Sequence, residues 1–339
     1  MMARMSGRRL NALWMLALAV SLVSGGCGGD SPAGPTPPPP VAQLSVVCPP
    51  AQSEVSLKNQ PVVITWPAPT TQGGTAPVQT SCTPASGSAF LPGTAPVACT
   101  ATGAGANQTA SCSFPVTVTR PPQISVTRFM AFGDSITWGT ASPPAGFLAI
   151  PIPAPSYSYP SQLLGLLGGR YPEQAISMAN EGWPGEAIGD GVNRLPSALA
   201  VNTPEVLLLL DGANDLLGSP SSATTQYIAS KLRDMVRTAT ARMPAIRVLL
   251  ATFPPQYHGT IPYDRGAGAE FVPELNQRIV AVAQSEGATL VDLYAAFPAG
   301  GKPYIGVDGL HPTEQGFTLM AQTFAKVIQE KFEVKTGGR

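Results

Sequence analysis

From Ile124 onward, strand-like and helix-like stretches alternate, and that alternation constrains the fold more than any other feature of the sequence. The strand-like runs are SVTRFMAF (125–132), EQAISMA (173–179), EVLLLL (205–210), IRVLLAT (246–252) and ATLVDLY (288–294). Between them lie helix-like stretches: SYPSQLLGLLG (158–168), AIGDGVNRLPSALA (187–200), SATTQYIASKLRDMVRTATARM (222–243), EFVPELNQRIVAVAQSEG (270–287) and TEQGFTLMAQTFAKVIQEKF (313–332). Strands this apolar need cover on both faces, so five βα units predict a parallel sheet held between two layers of helices. The expected fold of residues 127–333 is a three-layer α/β/α sandwich with a five-stranded, flavodoxin-like sheet. No cysteine follows Cys112, so this unit relies on its core alone.

Residues 42–120 follow different rules. Short runs such as VVITW (62–66) and FPVTVT (114–119) are rich in β-branched residues. They are broken by PAPTTQGGTAP (67–77), PASGS (84–88) and TGAGAN (102–107), which read as turns. Charges shrink to Glu54, Lys58 and Arg120, and no helical period appears. The pattern predicts an all-β, immunoglobulin-like sandwich, joined to the second unit by a linker at 121–126. The stretches CPP, VVITWPAP, SCTPASGSAF, GTAPVACTATGAGAN and SCSFPVTV resemble the hyalin-repeat module, which implies a role in adhesion or spacing. Its four cysteines permit three connectivities, all open at this point. The working guess is Cys82–Cys99 with Cys48–Cys112.

The amino terminus reads as an address. Arg4, Arg8 and Arg9 precede an apolar stretch from Leu10 to Val23, shorter than the ~20 residues a spanning helix needs but suited to a secretory signal. Ser24, Gly25 and Gly26 then lead to Cys27, which resembles a bacterial lipoprotein cleavage site whose cysteine is acylated. Ser24 stands where that pattern usually has Leu, so ordinary secretion remains the alternative. Lipid on Cys27 would leave four cysteines to pair in an oxidising compartment. Residues 28–41, glycines followed by a polyproline run, read as a tether, and residues 334–339 as a tail. The expected location is extracytoplasmic, with membrane contact only through an anchor on Cys27.

In open parallel sheets, ligands sit beyond the carboxyl ends of the strands. The first such edge carries Gly133-Asp134-Ser135, the second Asn180-Glu181-Gly182-Trp183-Pro184-Gly185, and the third Asp211-Gly212-Ala213-Asn214-Asp215. The last segment carries Asp308-Gly309-Leu310-His311. These four blocks, in this order, resemble the SGNH/GDSL hydrolases over residues 127–333. The resemblance implies a serine nucleophile at Ser135 and oxyanion-hole donors at Ser135, Gly185 and Asn214. It also implies Asp308 and His311 as the remaining catalytic residues.

The residues make chemical sense unaided. A serine hydroxyl is a weak nucleophile and needs a base, and an imidazole titrates near working pH. An aspartate three residues before that histidine can reach the other ring nitrogen and fix its tautomer. Asp134 and Asp215 read as loop organisers, and His258 as a surface-loop histidine. Trp138 and Trp183 are open between lining an acyl or sugar pocket and ordinary packing. The proline-rich loop from Ser142 to Pro160 follows the nucleophile's turn and is open between walling the cleft and lying clear of it.

The balance of twenty basic and twenty acidic residues, at 12% charged overall, excludes a basic nucleic-acid surface. Two histidines and five cysteines, without CxxC or H-E-x-x-H, suggest neither metal nor organic cofactor. The expected function is an exported serine ester hydrolase acting through an acyl-serine. The resemblance suggests acetylated carbohydrate, simple acyl ester or lysophospholipid as the substrate. The rival readings are a non-catalytic surface adhesion or glycan-binding protein, and an acyltransferase using the same residues. Oligomeric state is left open by the sequence.

Overall fold

The structure, a computed structural model, describes residues 41–141, 156–259, 264–299 and 301–334. The signal segment, Cys27, most of the tether and most of the loop between Ser142 and Pro160 lie outside the described residues.

The amino-terminal region holds eight strands: β1 (Ser45–Val47), β2 (Gln52–Val55), β3 (Val62–Ile64), β4 (Thr70–Gln72), β5 (Gln79–Thr83), β6 (Ser88–Phe90), β7 (Gly93–Thr102) and β8 (Thr109–Thr119). A four-stranded sheet runs in the order β2-β8-β7-β5, beside the antiparallel pairs β1–β4 and β3–β6. The long β7–β8 ladder alternates: Val97, Cys99 and Ala101 are buried on one strand, Phe114, Val116 and Val118 on the other. Apart from Ala101, those side chains form a small core with Ile64, Phe90 and Trp66. The Trp66 ring meets Phe114 edge-on at 5.3 Å. Cys48 is bonded to Cys112 and Cys82 to Cys99, the expected pairing. Cys82 faces Cys99 directly across β5 and β7.

The second unit contains β9 (Gln123–Ile124), β10 (Arg128–Gly133), α1 (Ser135–Trp138), α2 (Tyr159–Arg170), β11 (Ser177–Gly182), α3 (Ile188–Asn202), β12 (Val206–Leu210), α4 (Ala213–Gly218) and α5 (Ser222–Arg242). It continues with β13 (Arg247–Ala251), α6 (Val272–Glu286), β14 (Thr289–Val291), α7 (Leu293–Ala296), α8 (Glu314–Phe332) and β15 (Glu333–Val334). Five strands form one parallel sheet in the order β11-β10-β12-β13-β14. The first strand in sequence lies second in space, which is the flavodoxin-like order and puts a switch point beside β10. Every residue of β12 is buried, as its apolar run demands. Each fully buried leucine there contributes about 1.5–3 kcal/mol relative to exposure.

Three expectations shift. The second strand begins at Ser177, because Gln174 instead brackets Ile124, accepting from its N–H at 2.7 Å and donating to its carbonyl at 2.8 Å. The run 288–294 ends as strand at Val291, because Asp292 caps α7 by accepting from Ala295 N–H. Part of the expected linker belongs to the α/β unit: β9 pairs antiparallel with β15, and Ile124 is buried in the main core. The same pairing takes Val334 out of the expected tail.

Candidate active site

Strand β10 delivers the first block. It ends at Gly133, where a Cβ would stand 1.7 Å from the Leu210 carbonyl oxygen, so only glycine lets the two strand ends approach. Asp134 then caps α1: its Oδ1 accepts from Ile136 N–H at 2.9 Å and its Oδ2 from Ala213 N–H at 3.0 Å. The side chain thereby ties the first block to the third. Ser135 begins α1 and is buried.

The fourth block is folded by its own turn. Asp308 Oδ1 accepts from the N–H groups of Leu310 at 3.1 Å and His311 at 3.0 Å. Its Oδ2 lies 2.6 Å from His311 Nδ1. His311 Nε2 lies 2.9 Å from Ser135 Oγ, across 176 residues of chain. Gly309 has φ +80°, and a Cβ there would meet the Tyr257 carbonyl oxygen at 1.8 Å. Tyr257 N–H in turn donates to Gly309 O, and Arg265 N–H to Asp308 O, so the loop after β13 braces the turn from outside. Burial works to raise the Asp308 pKa. The hydrogen bond and charge of His311 and the two backbone N–H groups outweigh burial and hold it below the usual carboxylate range. Asp308 is therefore ionised and holds the imidazole at Nδ1, with Nε2 facing Ser135 Oγ.

The second and third blocks meet beside this row. Trp183 N–H donates to Gly133 O at 2.8 Å, and the side-chain amide of Asn214 donates to Glu186 O at 2.9 Å. Asp215 accepts from Ile188 N–H and fixes the start of α3. Gly185, at φ +83°, is exposed. The expected organisers, Asp134 and Asp215, thus act on backbone N–H groups. His258 is exposed and bonded to Asp264 at 2.7 Å. Trp138 packs its backbone against Gly182, whereas Trp183 is 60% exposed.

Sequence reasoning missed two features. Glu186 is buried and grips Arg194 through two 2.7 Å bonds, while Arg194 also reaches Glu181 and lies 4.1 Å above the Phe132 ring. Asp211, which directly follows the apolar strand β12, is fully buried, and its Oδ2 has no hydrogen-bond partner among the described residues. Burial, with Asp134 and Glu186 nearby, raises its pKa well above the ordinary carboxylate value. The available signal was a charged residue closing an otherwise apolar run.

Comparison with known proteins agrees with this geometry. The model of the GDSL-like lipase/acylhydrolase family matches residues 131–319, more than half of the chain. Est24, a carbohydrate acetylesterase from Sinorhizobium meliloti, has a similar structure at 21% identity and a TM-score of 0.50, covering 60% of this chain and 99% of that one. The native aryl esterase of M. smegmatis is similar at 23% identity and a TM-score of 0.50, covering 60% and 99%. Both similarities concern the fold. A search of curated proteins finds no match. Four blocks gathered at one edge of a 2-1-3-4-5 sheet, with the family match across them, place this chain in the GDSL-like lipase/acylhydrolase (SGNH) family, as a carboxylic ester hydrolase.

Proposed function

We propose that the protein is an exported serine esterase that cleaves its substrate through an acyl-serine. The reading rests on the continuous Ser135–His311–Asp308 row, at 2.9 Å and 2.6 Å. Ser135 Oγ attacks the ester carbonyl carbon while His311 Nε2 takes its proton, and the Asp308 carboxylate stabilises the imidazolium. The carbonyl oxygen, now an oxyanion, accepts from the N–H groups of Ser135 and Gly185 and from the Asn214 amide. One Asn214 N–H is already committed to Glu186, which leaves the other for the oxyanion. Collapse expels the alcohol, protonated by His311. Water then repeats the sequence on the acyl-serine and frees the acid. Removing one oxyanion donor typically costs ~10²–10³ in turnover.

The amino-terminal address supports export, through a lipid on Cys27 or by plain secretion, and two disulfides suit an oxidising compartment. The β-rich region then serves as an immunoglobulin-like, hyalin-repeat-type spacer. The substrate is an acetylated carbohydrate, a simple acyl ester or a lysophospholipid. The test is hydrolysis of para-nitrophenyl acetate by the full chain. Activity should fall at least ~10³-fold in Ser135→Ala, because the three residues act as a unit. Equal rates in the two proteins would overturn the reading.

A further inference from the structure

Gly185 can offer its N–H to an oxyanion only if something holds it. It sits exposed at φ +83°, and apart from its chain neighbours no described atom lies within 4 Å of where its Cβ would stand. The next residue supplies the hold. Glu186 is buried, its N–H donates to Trp183 O at 3.2 Å, and its carbonyl accepts from the Asn214 amide at 2.9 Å. Its carboxylate is bound by Arg194. We infer that Arg194 is a positioning residue for the reaction: by locking Glu186 it sets the Gly185 N–H and the Asn214 amide where the oxyanion needs them. This inference rests on the esterase reading above and assigns what orders its oxyanion donors.

Three observations carry it. First, one guanidinium joins the elements that frame those donors. Arg194 lies midway along α3, and its Nε and Nη2 each reach a Glu186 carboxylate oxygen at 2.7 Å. Nη2 also donates to Glu181 O at 3.0 Å and Nη1 to Glu181 Oε2 at 3.2 Å, at the end of β11. Its carbon lies 4.1 Å from the centre of the Phe132 ring, which belongs to β10 just before the Gly133-Asp134-Ser135 turn. Trp183, at the other end of the Gly185 loop, is fixed by its N–H to Gly133 O. Second, Arg194 has little left for a substrate. Those bonds engage four of the five guanidinium N–H groups, and two carboxylates already face its single charge. Third, stability alone does not account for the pair, since apolar side chains of similar volume often serve as well as a buried ion pair. What apolar packing lacks is direction. A planar, two-bond grip on the Glu186 carboxylate fixes orientation as well as distance.

The test is a double-variant cycle on the full chain with para-nitrophenyl acetate. A misplacement of about 1 Å can cost on the order of 10² in rate, so Arg194→Met should lower kcat about 10–100-fold with KM held within about twofold. Arg194→Lys keeps the charge without the fork and should recover only part of that loss. In the Asn214→Ala background, Arg194→Met should cost several-fold less than it does in the wild type, because one of the donors it orders is already gone. Glu186→Gln keeps the side chain's size and weakens the grip. It should lower kcat in the same direction, and it replaces Arg194→Met in the cycle if that variant does not fold. An unchanged kcat, a loss carried by KM alone, or the same fold-loss with and without Asn214 would overturn the inference. If Ser135→Ala abolishes hydrolysis while Arg194→Met leaves kcat unchanged, the positioning role alone fails. If hydrolysis survives Ser135→Ala, the esterase reading fails first.

Discussion

The β-rich region gathers a few side chains around Trp66, Phe114 and Val97 and ties its strands with two disulfides. The α/β unit contains no cysteine and instead covers both faces of a sheet with helices, burying all of β12 and most of β10. Small cores leave little free energy above the conformational entropy of folding, so covalent closure replaces missing apolar area. A large core tolerates what a small one cannot. The α/β unit keeps Asp134, Ser135, Asp211, Asp308 and His311 away from water, each an expense in desolvation. Chemistry is therefore concentrated in the region with stability to spare.

Several changes would break or sharpen this contrast. The largest effect is expected at the site. His311→Ala should lower kcat at least ~10³-fold, and adding Ser135→Ala should cost almost nothing more. Steady-state kinetics of the single and double variants would check this, and additive losses would contradict a concerted row.

Next in size are the staples. The Cys48–Cys112 and Cys82–Cys99 bonds close separations of 64 and 17 residues, for which chain entropy gives about 4 and about 3 kcal/mol. Replacing all four cysteines by alanine should remove the β-rich region's thermal transition in calorimetry and leave esterase activity intact. Loss of both would mean that the two regions depend on each other. Leu208→Ala, in the middle of β12, should show the converse, lowering the stability of the α/β unit by about 2–5 kcal/mol without touching the other transition.

A smaller effect concerns two buried carboxylates with opposite surroundings. Asp308 is paired and its pKa is depressed. Its stabilising contribution is complete above the ordinary carboxylate range and is lost as pH falls below it. Asp211 lacks a partner at Oδ2 among the described residues and its pKa is raised, so between its unfolded and folded values the native state holds a proton the unfolded chain has released. Its contribution therefore declines as pH rises. Asp211→Asn removes that slope. The Tm difference, variant minus wild type, should grow more positive from pH 5 to pH 8. A difference that stays constant with pH would contradict a raised Asp211 pKa.

Much of this was legible in the chain because it is local. The apolar runs ending in Gly133 and Leu210 dictate covered strands, and Ser158, Ser221 and Thr313 each cap the helix that follows. The four blocks were visible, as were the residues now in one row. What could not be read depends on distant partners. The β9–β15 ribbon joins segments some two hundred residues apart, which no local pattern announces. The short helices α1 and α4 are too brief to show a period and follow from the turns at Asp134 and Gly212. The Glu186–Arg194 clasp is invisible until α3 folds back over the edge of the sheet. The burial of Asp211 could not be read because a strand end can face water or core, and only the packing of Gly191 against its Oδ2 decides between them.

The central claim is that Ser135 is a nucleophile activated by His311, and covalent capture tests it most directly. The full chain would be treated with a fluorophosphonate ester, digested and analysed by peptide mass. One phosphonyl adduct is expected, on the peptide carrying Ser135, absent from Ser135→Ala and formed far more slowly in His311→Ala. An enzyme that hydrolyses esters yet takes the adduct on another residue, or takes none, would contradict the account.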